Sequence, residues 1–256
     1  MPIKTPEEKR RRSIYLLPNA FTTANLFAGF YAVVQAMNGR FEVAAIAIFL
    51  ALVFDGMDGR VARLTNTQSA FGEQYDSMAD LTSFGIAPAL VMYVWALQGL
   101  GRWGWLAAFI FVAGAALRLA RFNTNIAVVD KRFFQGLPSP AAAALIAGFV
   151  WLAVDNKLRV SAEPLAWCAF ALTIYAGVAM VSNAPFYSGK SFAVGKSVPF
   201  WGMLVLVLLF VFVSSDPPIV LFSMFILYGL SGWVVMAWRW RRARQLINKR
   251  RGLEEK

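Results

Sequence analysis

Apolar runs recur along this chain at near-regular intervals, and their length is what most restricts the fold. Eight of them, at residues 20–38, 41–64, 71–98, 103–123, 138–156, 162–182, 198–214 and 217–240, approach the twenty or so residues that carry an α-helix across a bilayer. Backbone polar groups in a bilayer must pair among themselves, which leaves helices and closed barrels as spanning structures. A barrel needs short alternating segments, and these runs are continuous. Only 15% of the residues are charged, against about a quarter in soluble domains. The expected fold is all-α: a polytopic integral membrane helix bundle of about eight spans.

Basic residues set the expected orientation. With eight crossings and a cytoplasmic N-terminus, only Arg40, Arg102, Lys157 and Arg159 of the 25 Lys and Arg fall outside. That asymmetry follows the positive-inside rule and puts both termini on the cytoplasmic side. It also accounts for the net charge of +11, so no nucleic-acid partner is expected. The basic start is followed by an apolar run that Pro18 soon interrupts, so no cleavable leader is expected. Residues 9–18 are expected as a short interfacial helix. The expected layout is a basic N-terminus at 1–19, a six-helix core at 20–182 and a cytoplasmic loop at 183–197. Two further helices at 198–240 and a basic tail at 241–256 complete it. That tail begins beside Trp238 and Trp240, where arginines would meet lipid phosphates. Trp103, Trp105 and Trp201 suit interfacial belts, and Pro138 and Pro140 suit a helix entry.

The chain has no histidine, which removes imidazole acid–base chemistry and imidazole metal ligands. Its single cysteine, Cys168, sits inside an apolar run and reads as a packing residue. The chemistry concentrates instead in Asp55, Asp58, Asp76 and Asp80, between the second and third runs. Steps of three and four put each pair on one helix face. Two facing helices would aim four carboxylates at one point, a cage for hard divalent cations, which commonly clamp phosphates. Gly59, Ala62 and Gly72 would let a ligand approach the backbone, and Arg63 adds a cation that can fork onto phosphate. Salt bridges from Arg60 and Arg63 to the acids would be the structural alternative, yet two cations leave four acids in excess. These residues describe a metal-assisted diphosphate site at the membrane surface.

The segment from Asp55 to Asp80 reads D-x2-D-G-x2-A-R-x8-G-x3-D-x3-D. It resembles the signature of the CDP-alcohol phosphotransferases, integral membrane enzymes of phospholipid synthesis. The resemblance implies a six-helix core, to which this chain adds two C-terminal spans, generally in a homodimer. It implies that Asp55, Asp58 and Asp76 bind Mg²⁺ or Mn²⁺, and that Asp80 contacts metal and acts as general base. Gly59, Ala62, Arg63 and Gly72 would seat the CDP moiety together with Asp55. Segments 18–30, 79–89, 117–123 and 134–143 further resemble the bacterial membrane-type phosphatidylserine synthases. They imply CDP-diacylglycerol and L-serine as substrates, among the lipids of a bacterial inner membrane.

Arg118 and Arg121, three apart on one helix face, suit an acceptor carboxylate or a lipid phosphate, and equally suit snorkelling to headgroups. Asn123 would offer an amide to substrate or cap the helix. Asn19, Thr22 and Asn25 would line the nucleotide pocket or join helices. The aspartates handle only the CDP half, so glycerol 3-phosphate, inositol phosphate and choline remain alternative acceptors, with Lys131 or Arg132 as added cations. A cation transporter is the non-enzymatic alternative, although transport acids usually sit near the bilayer midplane.

Overall fold

The computed structural model describes residues 6–65, 69–124, 133–155, 161–188 and 200–254. Residues 1–5, the 189–197 part of the expected loop, and Lys131, Arg132, Lys157 and Arg159 lie outside them. Among the described residues there are eight helices: α1 (Pro6–Met37), α2 (Phe41–Leu64), α3 (Ala70–Leu100), α4 (Arg102–Thr124), α5 (Ser139–Val154), α6 (Ala162–Val181), α7 (Phe200–Ser215) and α8 (Pro217–Glu254). Two three-residue strands, β1 (Phe133–Gln135) and β2 (Pro185–Tyr187), pair antiparallel with Phe134 opposite Phe186.

The apolar runs become helices as expected, with differences that have local causes. The interfacial segment and the first span form one continuous helix, α1, with Pro18 inside it. Proline costs one rung of the ladder there, and the Thr22 hydroxyl lies 3.2 Å from the Pro18 carbonyl one turn later. Helix α3 holds two π-helical stretches, Leu81–Ile86 and Tyr93–Leu97. Such bulges often occur at functional sites, and the first begins directly after Asp80. The expected basic tail continues α8 as helix through Glu254.

Among the described residues four helices are long and apolar enough to cross a membrane: Ala70–Leu100, Arg102–Thr124, Ala162–Val181 and Pro217–Arg242. Helix α2 is long enough but carries Asp55, Asp58, Arg60 and Arg63. Helices α5 and α7 are shorter apolar rods. Twelve of the sixteen residues of α5 are buried, so it is the central stave of the bundle and needs no lipid-facing length. A helix apolar on all sides is buried either in protein or in lipid, and α5 is buried in protein.

Around α5 the packing relies on small residues. Helix α1 lies along α2, and Ala28, Ala32, Ala36, Ala44, Ala45 and Ala51 are all buried. On the other side α4 meets α6 where Gly114 touches the backbone of Gly177. Small side chains let membrane helices approach closely enough for dispersion to hold them. Helix α8 packs on α5, with the Phe149 and Phe222 ring centroids 5.6 Å apart. By contrast α7 exposes Trp201, Met203, Phe210 and Phe212, an apolar surface suited to lipid.

Candidate active site

The site forms where the C-terminal half of α2 meets the start of α3, roofed by α1. Ser69 starts α3, its hydroxyl accepting from the Gly72 amide at 3.0 Å. That cap fixes where the helix begins, and so which face Asp76 and Asp80 occupy. Asp55 faces Asp80 and Asp58 faces Asp76, each pair within hydrogen-bonding reach across the two helices. Oxygens of Asp55, Asp76 and Asp80 all lie within 4.8 Å of one another.

Asp58 departs from the expected convergence on one point. It is buried, and its Oδ2 lies 3.1 Å from the Thr22 hydroxyl. The three-residue step from Asp55 turns Asp58 toward α1 and Asp76, while the other three acids cluster. Thr22 has one proton for Asp58 and the Pro18 carbonyl, so it serves one of them at a time. Asn25, fully buried one turn further along α1, donates from Nδ2 to Asp80 Oδ1 at 3.2 Å. Thr22 and Asn25 thus each hold an aspartate, and Asn19 lies beside Gly72, its Oδ1 3.6 Å from where a Cβ would stand.

Three contacts at this junction escaped the sequence reading. The Ser83 hydroxyl donates to the Asn25 carbonyl at 2.9 Å. Ser83 comes this close because Gly29 faces it, and any Cβ at 29 would collide with Ser83. The Thr23 hydroxyl and the Tyr75 phenol are 2.9 Å apart. A signal was present in the four-residue step from Asn25 to Gly29, which marks a polar, narrow stripe on α1.

Of the residues expected to seat a nucleotide, Gly59, Ala62 and Arg63 lie along the end of α2, and Gly72 lies in the first turn of α3. Gly59 is exposed, Ala62 and Gly72 are half-buried and Arg63 is exposed. Arg63 folds back on its own helix, Nε donating to the Gly59 carbonyl at 2.7 Å, with the guanidinium above the bare Gly59 backbone.

Arg118 and Arg121 do not act on a common partner. Arg118 is buried, Nη1 donating to the Ser139 hydroxyl at 3.1 Å, and Asp80 lies within its electrostatic range. Arg121 reaches the end of α6, donating to the Val181 carbonyl at 3.0 Å and to Asn183 Oδ1 at 3.3 Å. Three residues turn a helix by about 300°, enough to point one arginine into the bundle and the other along its side. Asn123 donates to the Ser77 hydroxyl at 3.1 Å, tying α4 to α3.

The donor set fits a hard divalent cation. Carboxylates from two helices crowd together, and like charges so close repel unless a cation or a proton intervenes. Asp76 Oδ1 is buried with no hydrogen-bond partner. A buried acceptor left unpaired is costly, and metal coordination would satisfy it.

The CDP-alcohol phosphatidyltransferase family model matches residues 15–179. A CDP-diacylglycerol–serine O-phosphatidyltransferase of Helicobacter pylori (strain J99) is 34% identical over 87% of this chain and 93% of its own length. One from Methanocaldococcus jannaschii is 35% identical over 71% of this chain and 79% of its own. One from Saccharomyces cerevisiae is 37% identical over 51% of each.

Proposed function

The chain belongs to the CDP-alcohol phosphatidyltransferase family, and on that premise we propose that it moves the phosphatidyl group of CDP-diacylglycerol to L-serine, giving phosphatidylserine and CMP. The carrying observation is the three-carboxylate cluster of Asp55, Asp76 and Asp80, joined to similarity with serine transferases over most of the chain.

Asp55, Asp58, Asp76 and Asp80 would hold Mg²⁺ or Mn²⁺ in a two-metal site. Such ions, when bound, screen a diphosphate and stabilise a departing nucleotide phosphate. Asp80 takes the proton of the serine hydroxyl. That oxygen forms a bond to the phosphorus bearing diacylglycerol, and the anhydride bond to CMP breaks. Asn25 keeps Asp80 oriented, and Thr22 does the same for Asp58. Gly59, Ala62, Arg63 and Gly72 border the nucleotide, and Asp55 approaches it from the cluster. Arg118, Arg121 and Asn123, all on α4, would take the acceptor side.

The protein is an integral membrane enzyme. We place it in a bacterial inner membrane with the site facing the cytoplasm, where serine and CMP are soluble, and as a homodimer. CMP release by purified protein, with CDP-diacylglycerol, Mn²⁺ or Mg²⁺ and each acceptor in turn, tests the reading. Serine-dependent release that EDTA abolishes supports it. Release with glycerol 3-phosphate, inositol phosphate or choline alone would keep the chemistry and overturn the acceptor.

A further inference from the structure

Helix α8 changes character at one level. From Pro217 to Trp238 it carries no charged side chain. That stretch is about 32 Å long, close to the roughly 30 Å hydrocarbon core of a bilayer. Then come Trp238, Arg239, Trp240, Arg241, Arg242 and Arg244, all exposed. They occupy about 9 Å of helix, comparable with one headgroup layer. The arginines are spread round the helix: at about 100° per residue, Arg239 and Arg242 lie on one side and Arg241 and Arg244 on the other. A helix lying on the membrane surface would carry its cations on a single face. This end of α8 is built to pass through the headgroup layer, with a cationic collar at that depth.

Two of the arginines are held by indoles. The Arg242 guanidinium carbon lies 4.4 Å from the centre of the Trp238 ring, and that of Arg244 lies 4.3 Å from the centre of the Trp240 ring. Stacking holds a guanidinium by its flat face and leaves its N–H edge free to donate. A signal that only sets orientation needs charge and no such order. Arg239 turns inward instead, 4.4 Å from the centre of the Phe133 ring, which meets Tyr187 edge-on at 6.1 Å. The Tyr228 hydroxyl donates to the Tyr187 carbonyl at 3.1 Å, and the Tyr175 phenol donates to the Gly229 carbonyl at 2.7 Å. The collar is thereby pinned to the β1–β2 pair and to α6. Along the chain no acidic residue stands between Asp216 and Glu254, so α8 brings no counter-ion to headgroup depth.

We propose that this collar binds the phosphates of anionic phospholipids, so that α8 gathers an anionic annulus around the protein. A zwitterionic headgroup carries a cation beside its phosphate, which the arginines repel. A lipid of net negative charge lacks that penalty, and each basic side chain at the surface adds to its attraction. The proposal holds whichever alcohol the site accepts. The donor and product named above are both lipids of this class.

The test reconstitutes the full-length protein in phosphatidylcholine vesicles and quenches its tryptophan fluorescence with bromine-labelled phosphatidylglycerol or bromine-labelled phosphatidylcholine. The share due to the collar is the difference from a Trp238→Phe/Trp240→Phe variant. Phosphatidylglycerol should be the preferred quencher, and the preference should weaken as salt rises. Removing each arginine should reduce it roughly three- to fivefold, so that Arg242→Gln/Arg244→Gln loses roughly ten- to twentyfold. Equal quenching by the two lipids in the wild type would overturn the proposal and leave the arginines as an orientation signal. A preference that the double variant retains would also overturn it. So would one that inorganic phosphate abolishes at constant ionic strength, because the ligand would then be a free anion. Arg244→Gln alone, at the outer end of the collar, gives the same reading if the double variant does not insert.

Discussion

Asp80 meets more of the site than any other aspartate: it accepts from Asn25, faces Asp55 and lies in range of Arg118. Asp80→Asn keeps its size and its bond to Asn25 but cannot take a proton. We expect kcat to fall by roughly 10²- to 10⁴-fold, the usual share of general-base catalysis, with the helical content of the purified protein retained. Turnover near the wild-type rate would remove the assigned base. Gly29 is a different kind of residue, important for what it lacks. Gly29→Val would strike Ser83, prising α1 from α3 at a cost of about 1–3 kcal/mol, as overpacking does. Thermal unfolding in detergent reads that loss. The aspartates were legible in the sequence because carboxylates beside an apolar run are expensive and their spacing is helical. The division of labour between Arg118 and Arg121 was not, because two arginines on neighbouring turns look alike until their partners, Ser139 and Val181, are known.

At the scale of elements, run length was enough to find the helices, since a bilayer-length apolar segment has few alternatives. It could not foresee the β1–β2 pair, whose three-residue strands lie some fifty residues apart and show no period. Nor could it foresee the π-helical turn after Asp80. The glycine pair Gly114 and Gly177 shows how an element's place is set by absent side chains. Gly114→Leu would drive its side chain into the α6 backbone. We expect about 1–3 kcal/mol of destabilisation from such crowding, measured by the thermal midpoint, with the aspartate cluster untouched. The central role of α5 was also hidden, because an apolar helix facing lipid and one facing protein share the same composition.

For the whole molecule, charge asymmetry makes a topological prediction. A cysteine placed at Arg242 in a Cys168→Ser background should react with a membrane-impermeant maleimide in inside-out vesicles and not in intact cells. The opposite pattern would reverse the orientation read from the basic residues. The acidic cluster has a consequence at this scale as well. Four carboxylates are held together by folding, while in an unfolded chain they separate and their repulsion relaxes. A cation that prefers the folded chain then adds to its stability in proportion to RT ln(1 + [L]/Kd), about 2.7 kcal/mol at a hundredfold excess over Kd. The thermal midpoint should therefore climb with Mg²⁺ or Mn²⁺ concentration in the absence of any substrate, and fall on chelation. A membrane carrying this enzyme would keep it folded or lose it to proteolysis according to the divalent ion supply on the side where the site opens.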